Sequence, residues 1–334
     1  MLESKKSLID FNLGDRINKV FYIKEAEFRL RRNGETVDGF LKIADKSGEI
    51  EAIYWDVSTK KLQEIEKIQF ARIEGQVIKK KSNGQMQMSI KSLEEIPEAY
   101  GEAFIPSTKR DIEELLQVID GKITSINNQY LKELLVSFFN DMIFREKFKR
   151  APAAKKLHQA YIGGLAEHTV NVVNICEAIC QIYPQVNRDF LITTALLHDI
   201  GKIEEYRFNG AIEYSDKGKF IGHIIIGTEM IQEKIKEIRD FPGDLAIMIK
   251  HTILSHHGKY EFGSPKLPSI LPAIALFYAD DTDAKINGLI SLKAQNKNID
   301  KKWSEWVWWL DRSIYLAEQD IMDNSNEKNE EIEE

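Results

Sequence analysis

The stretch FLITTALLHDIGK, from Phe190 to Lys202, decides how the second part of this chain is read. Its first eight residues are an apolar run that reads as a buried helix, and Ile200-Gly201-Lys202 reads as the stop signal. A His198-Asp199 pair at the end of a buried helix is costly unless something compensates it, and a bound divalent cation is the usual compensation. The other histidines point the same way. All seven lie between His158 and His257, and six sit in short strings: GGLAEH ending at His168, LLHDIGK, GHI around His223, Lys250-His251, and SHHG around His256 and His257. The string YADDTDA adds Asp280 and Asp283. Imidazole with carboxylate is the mixed ligand set suited to Mn, Fe, Co, Ni or Zn. Any one of these residues taken alone is more simply a satisfied core or surface histidine. His158, which has no partner in its string, is read that way. The set as a whole points to a hydrolytic metal site.

N-terminal to this region the period changes to that of strands. The segments VFYIKEAEFRLRR, VDGFLKIAD and EIEAIYWD are separated by turns at Asn33-Gly34 and Lys46-Ser47-Gly48. Ser58 to Ile68 reads as a short helix, with Leu62, Ile65 and Ile68 at helical spacing. FARIEGQVIKKK and QMQMSIK follow as two more strands around Ser82-Asn83-Gly84. Three strands, a helix and two strands is the order of an OB-fold barrel. Such barrels commonly bind single strands through a basic track and aromatic faces. The candidates are Arg29, Arg31, Phe40, Tyr54, Trp55, Lys79, Lys80 and Lys81, with Arg32 beside them. Against that reading, half the aromatics of a small barrel must fill its interior, and a lysine run in a hairpin is often a solvated turn.

Between the two parts, residues 98–108 are flanked by Pro97 and Pro106 and read as a linker. From Asp111 the chain turns helical, through DIEELLQVI, YLKELLVSFF and the basic FREKFKR. EEYRFNGAIEY reads as a small hairpin around Asn209-Gly210. WSEWVWWLDRSIY, Trp303 to Tyr315, reads as a closing helix on the core, with an oligomer contact or a base-stacking surface as alternatives.

Composition is that of a soluble intracellular protein, and the 334 residues suggest two or three domains. The net charge of −7 is misleading if spread over the chain. From Glu318 to Glu334 eight acidic residues stand against Lys328 alone, which accounts for all of it. That tail reads as solvated and disordered, and the balanced remainder does not argue against a nucleic-acid partner. The N-terminus lacks the apolar core of a signal peptide, and no apolar run approaches the ~20 residues of a membrane span. Cys176 and Cys180 are the only cysteines and read as reduced core residues. A cytoplasmic location is expected, with no membrane partner.

The order His168, His198-Asp199, His223, His256-His257 and Asp280, with Lys202 three residues after the pair, resembles the HD-domain metal-dependent phosphohydrolases. Within them, GHI at His223, ILSHHG and EFGSP are similar to the YhaM-type 3′-to-5′ exoribonucleases, over about Val20 to Tyr315. The resemblance implies a leader at residues 1–15, an OB-fold nucleic-acid-binding barrel at 16–97, a linker and connecting helices at 98–150, an all-α HD domain at 151–317 and the acidic tail at 318–334.

It further implies that His168, His198, Asp199 and Asp280 hold one metal, that Asp199 bridges, and that His223, His256 and His257 complete a second position. Mn²⁺ or Co²⁺ is the expected metal, with Fe, Ni, Zn or Mg as alternatives. Lys202 would contact the scissile phosphate or protonate the leaving oxygen. Asp283 would orient the site, and His251 would support it or touch phosphate. Gly164 stands where some three-metal members carry an acidic ligand, which argues against a third metal. The implied reaction releases nucleoside 5′-monophosphates from the 3′ end of single-stranded RNA, with single-stranded DNA as a second substrate and self-association as an option. Two other readings fit the same residues. One is an HD phosphohydrolase of nucleotides or cyclic nucleotides with a regulatory barrel. The other is a nucleic-acid-binding factor whose HD region is scaffold.

Overall fold

The computed structural model describes residues 6–80, 84–96, 104–155, 159–209, 211–296 and 302–317, and it comprises a β-barrel followed by a helical body. The strands are β1 (Arg16–Leu30), β2 (Thr36–Asp45), β3 (Gly48–Ser58), β4 (Phe70–Lys79) and β5 (Met86–Glu95), with α1 (Thr59–Ile65) between β3 and β4. They close in the order β1-β2-β3-β5-β4, the OB arrangement expected from the element order. The β3–β5 pairing, Ala52–Tyr54 against Met88–Ile90, is parallel, and the others are antiparallel. Alternation sends Leu41 and Ile43 of β2 into the core while Phe40 faces out. Leu8 and Phe11, assigned from sequence to a leader, are buried in the barrel core. Two large apolar side chains gain ~1.5–3 kcal/mol each by entering it. The leader is therefore part of the barrel, at least from Lys6 onward.

After the barrel, Phe104 packs on Phe70 with ring centroids 5.5 Å apart. The Thr108 amide then donates to the Ile162 carbonyl at 2.8 Å. The helical body contains α2 (Ile112–Thr124), α3 (Gln129–Phe139), α4 (Met142–Arg150), α5 (Gly164–Ile182), α6 (Arg188–Leu197) and α7 (Lys202–Glu205). The hairpin β6 (Tyr206–Asn209) and β7 (Ala211–Tyr214) precedes α8 (Asp216–Phe220), α9 (His223–Glu237), α10 (Gly243–Ser255) and α11 (Leu271–Asn296). Side chains at the N-caps start several of these helices. Asp111 accepts from Glu113 N, Asn128 from Leu131 N, Asp141 from Ile143 N and Phe144 N, and Asn187 from Phe190 N.

Leu116, Phe139 and Phe148 of α2–α4 belong to the same buried cluster as Leu165, Leu191 and Leu276. The helices expected to connect the domains are thus part of one core, and residue 151 is not a boundary of packing.

The tryptophan segment is not a helix. Trp303 bridges Tyr315 and Val307 bridges Arg312 in antiparallel fashion, and Asp311 takes a left-handed φ of 54° in the turn. This hairpin packs through Trp309, whose ring lies against Gly288 of α11, while Trp303, Trp306 and Trp308 remain exposed. His158, Lys81, Gly210 and the acidic tail lie outside the described residues.

Candidate metal centre and nucleic-acid groove

The pattern that marks FLITTALLHDIGK as buried also delivers its polar end to the middle of the helical body. His198 and Asp199 follow directly on α6, whose neighbours α5 and α11 carry His168, Asp280 and Asp283. The opposite wall comes from His223, the first residue of α9, and from His256 and His257, which end α10. Gly201 allows these walls to meet, because a Cβ there would lie 2.0 Å from the His223 carbonyl oxygen. Gly164 is constrained in the same way by the Gln159 carbonyl oxygen, also at 2.0 Å, so no acidic side chain could stand at that position.

The side chains converge in two groups, His168 with His198 and Asp280, and Asp199 with His223, His256 and His257. Within each group the ligating atoms lie within 4.8 Å of one another. Asp199 joins them. Its Oδ2 is 3.5 Å from His168 Nε2 and 3.3 Å from His198 Nε2. Its Oδ1 is 3.5 Å from both His223 Nε2 and His256 Nε2. Asp280 Oδ1 lies 3.1 Å from His168 Nε2.

Every one of the five rings is oriented through its other nitrogen. His198 Nδ1 donates to the Ala195 carbonyl (2.7 Å), His256 Nδ1 to Ile253 (2.6 Å) and His257 Nδ1 to Phe262 (2.8 Å). His168 Nδ1 donates to Asp283 Oδ2 (2.7 Å) and His223 Nδ1 to Glu205 Oε1 (2.9 Å). An acceptor at Nδ1 holds the ring proton there and leaves Nε2 with its lone pair turned inward.

Those lone pairs crowd one another: His168 Nε2 is 3.2 Å from His198 Nε2, and His223 Nε2 is 3.3 Å from His257 Nε2. Acceptors this close need a positive charge between them. Asp199 Oδ1 and His256 Nε2 are moreover buried and make no hydrogen bond, which is expensive for a polar atom inside a protein. The residues fit a pair of divalent cations.

The electrostatics agree. Burial alone would push His168 towards its neutral form, but Asp199, Asp280 and Asp283 outweigh it and raise its pKa well above the ordinary histidine range. A proton there does what a cation would do. His257, by contrast, is pushed down to about 3 by burial and by His256 and His223, so it is a neutral imidazole at any physiological pH. Asp199 stays ionised. Burial opposes its charge, yet Lys202 and His198 hold its carboxyl well below the usual range.

Lys202 is 6% exposed, and its Nζ lies 2.5 Å from Asp199 Oδ2, so it is not a surface lysine ending a helix. Asp283 accepts from His168 Nδ1 and belongs to neither group of convergent side chains. His251 is turned elsewhere: its Nε2 accepts the Ser269 amide at 3.0 Å. Glu205, Gln159, Asn171 and Asn287, which also support the site, were not singled out from sequence. Each is a common polar residue whose partner is far along the chain or one helical turn away.

The barrel presents a groove of about 1050 Å³ lined by Arg29, Phe40, Trp55, Lys79 and Lys80, among others. Phe40 (36% exposed) and Trp55 (45% exposed) meet edge to face at 6.5 Å. The guanidinium of Arg29 sits 4.8 Å above the Phe40 ring, and that of Arg31 lies 5.7 Å from the Trp55 ring. Five of the expected barrel residues thus share one surface and Arg31 borders it. Tyr54 does not join them, since it packs against the barrel core, as alternation with Trp55 requires. The cations are paired at home: Arg29 with Glu27 (2.9 Å), Arg31 with Asp38 (2.7 Å) and Asp56, and Lys80 with Glu51 (2.6 Å).

A family model for the HD domain matches residues 165–285, the span that holds all seven candidate ligands. Over 316 residues the chain is 31% identical to the 3′-5′ exoribonuclease YhaM of Geobacillus sp. (strain WCH70), covering 93% of this chain and 94% of that protein. It is 30% identical over 315 residues to the 3′-5′ exoribonuclease YhaM of Listeria monocytogenes serotype 4b (strain CLIP80459), covering 93% and 98%. The same figures describe its likeness to the 3′-5′ exoribonuclease YhaM of Listeria innocua serovar 6a (strain ATCC BAA-680 / CLIP 11262). Matched over nearly their full length, barrel and helical body together, the chain belongs to the YhaM family of 3′-5′ exoribonucleases.

Proposed function

We propose that this chain is a metal-dependent exonuclease that removes nucleoside 5′-monophosphates from the 3′ end of single-stranded RNA, with single-stranded DNA as a second substrate. Its relatives are named for 3′-5′ exoribonuclease activity. The observation that carries the reading to this chain is Asp199, whose two oxygens face two separate histidine groups inside a buried site.

His168, His198, Asp280 and Asp199 Oδ2 would hold one cation, and Asp199 Oδ1, His223, His256 and His257 the other. Mn²⁺ and Co²⁺ suit this imidazole-carboxylate set. Bound there, such cations lower the pKa of water and neutralise charge on the phosphoryl oxygens. Lys202 supplies a positive charge beside Asp199, contacts the scissile phosphate and donates a proton to the 3′ oxygen that leaves. The groove on the barrel stacks bases on Phe40 and Trp55 and tracks the backbone with Arg29, Arg31, Lys79 and Lys80. Capture by the barrel raises the concentration of strand ends at the metals without adding a contact at the reacting atoms. We place the activity in the cytoplasm, with its RNA substrate. No described helix is long and apolar enough to cross a membrane.

Polarity is the test. Single-stranded RNA labelled at its 3′ end, incubated with Mn²⁺, should release labelled mononucleotide at once, and the same RNA labelled at its 5′ end should give a shortening ladder. A 3′-phosphate should slow the reaction, because an extra dianion crowds Lys202 and competes for the cations. Internal cuts appearing first with both labels, or efficient digestion of a circular RNA, would make the enzyme an endonuclease.

A further inference from the structure

We infer that Glu205 is the positioning residue of the second metal position, holding His223 as Asp283 holds His168, and that it holds its histidine less tightly. The inference rests on the two-position reading above. Asp283 has both oxygens engaged. Its Oδ2 accepts from His168 Nδ1 (2.7 Å) and Gln159 Nε2 (2.9 Å), and its Oδ1 from Asn171 Nδ2 (2.9 Å) and Asn287 Nδ2 (2.7 Å). Three donors, two from elsewhere in the chain and one from its own helix, fix that carboxylate before His168 is counted.

Glu205 is arranged differently. Its Oε1 accepts two hydrogen bonds, both from His223: the main-chain N–H and Nδ1, each at 2.9 Å. Its Oε2 is buried and makes no hydrogen bond. The Tyr206 hydroxyl and the Lys202 ammonium are its other polar neighbours, and packing does the rest. Its own carbonyl accepts the Ser215 amide at 2.8 Å, and a Cβ on Gly218 would come within 2.9 Å of its Cγ. Fewer donors fix this carboxylate than fix Asp283, so it leaves its histidine the looser of the two.

Glu205 therefore does two things to His223. It caps the first turn of α9, which sets where the ring begins, and it fixes the proton on Nδ1, which sets where the lone pair points. A carboxylate in this role also raises the basicity of the coordinating nitrogen. Lys202 stands at the other end of the same short helix, with its ammonium on Asp199. One turn of α7 thus presents a cation to the bridging ligand and an anion to a ligand of the second group.

The consequence is two positions of unequal strength, and the weaker can be loosened alone. Glu205→Gln keeps an oxygen to cap α9 and nearly the same volume, and removes only the charge. The full chain would be dialysed against graded Mn²⁺, with bound metal counted per chain and the electron paramagnetic resonance spectrum recorded. The parent should take up two Mn²⁺ and show an exchange-coupled spectrum, because Asp199 bridges them. E205Q should bind one equivalent as the parent does and the other about 10- to 100-fold more weakly, so intermediate Mn²⁺ gives an uncoupled six-line spectrum. Rescue of coupling at high Mn²⁺, with an unchanged melting temperature of the metal-free protein, would separate positioning from mere structural support. Two parent-like dissociation constants in E205Q would overturn the inference, and so would an equal weakening of both. A parent that binds fewer than two Mn²⁺ would instead overturn the two-position reading.

Discussion

In the helical body the working groups are buried and each is held by a named partner, whereas on the barrel they are exposed and held by one another. His168, His198 and His256 have no exposure, and their Nδ1 atoms are committed to one acceptor each. Phe40 and Trp55 are open to solvent, and the arginines above them are paired with neighbouring carboxylates. The difference fits the roles proposed for the two surfaces. A site that organises cations needs fixed dipoles and little water. A surface that slides a strand of any sequence towards that site needs faces and charges that can be exchanged. If this contrast is right, single changes in the body should act on turnover and single changes on the barrel should act on capture.

The largest effect is expected from Asp199→Ala. Removing the carboxylate whose two oxygens face the two groups should reduce hydrolysis of labelled RNA to background while the folded protein still binds the strand, measured by fluorescence anisotropy. Near-normal turnover in a folded variant would end the contrast, because the buried site would not be the reaction centre.

Asp283→Asn comes next. The amide cannot accept from His168, Gln159, Asn171 and Asn287 as the carboxylate does, so the His168 ring loses its fixed direction. Turnover at fixed Mn²⁺ should fall about 10- to 100-fold, the range found when a partner of a metal-binding histidine is lost, with strand affinity unchanged.

On the barrel, Trp55→Ala should leave turnover of a dinucleotide untouched and weaken binding of a long single strand about 5- to 10-fold. That is the lower end of the ~1–3 kcal/mol per stacked base, chosen because the ring is about half exposed. A drop in dinucleotide turnover would place the barrel inside the reaction centre.

The smallest effect is expected from Lys80→Ala, since Lys80 already pairs with Glu51 at 2.6 Å. Affinity should change by less than ~1 kcal/mol, and the slope of log affinity against log salt by no more than about 0.7, one phosphate contact on a single strand.

The same contrast governs what could be read before the structure. The convergent histidines and aspartates were legible because burying His198 and Asp199 behind an apolar run makes sense only with compensation, and the other histidines recur in comparable strings. The barrel was legible from alternation and turn residues. Glu205 was not, because a glutamate next to another glutamate looks like a solvated pair, and its partner His223 lies eighteen residues on. Tyr54 and Trp55 were both taken for the groove, although neighbours on a strand must face opposite ways. The Trp303–Tyr315 segment misled for a related reason. Apolar residues at 303, 306, 307 and 310 fit a helical period, but Asp311 at positive φ turns the chain back on itself. The limits of residues 98–150 were obscured because α2–α4 join a core most of which lies beyond them in sequence.

Gly201 carries a last implication. With a hydrogen where other residues have a methyl group, it lets two independently built walls close to within contact distance. A single added carbon would be a wedge. It would alter no ligand, remove no charge and leave every imidazole with its own acceptor, yet it would part the two halves of the reaction centre at their seam. The tolerance of this enzyme is therefore set by a clearance as well as by its chemistry, and that clearance is narrower than one carbon atom.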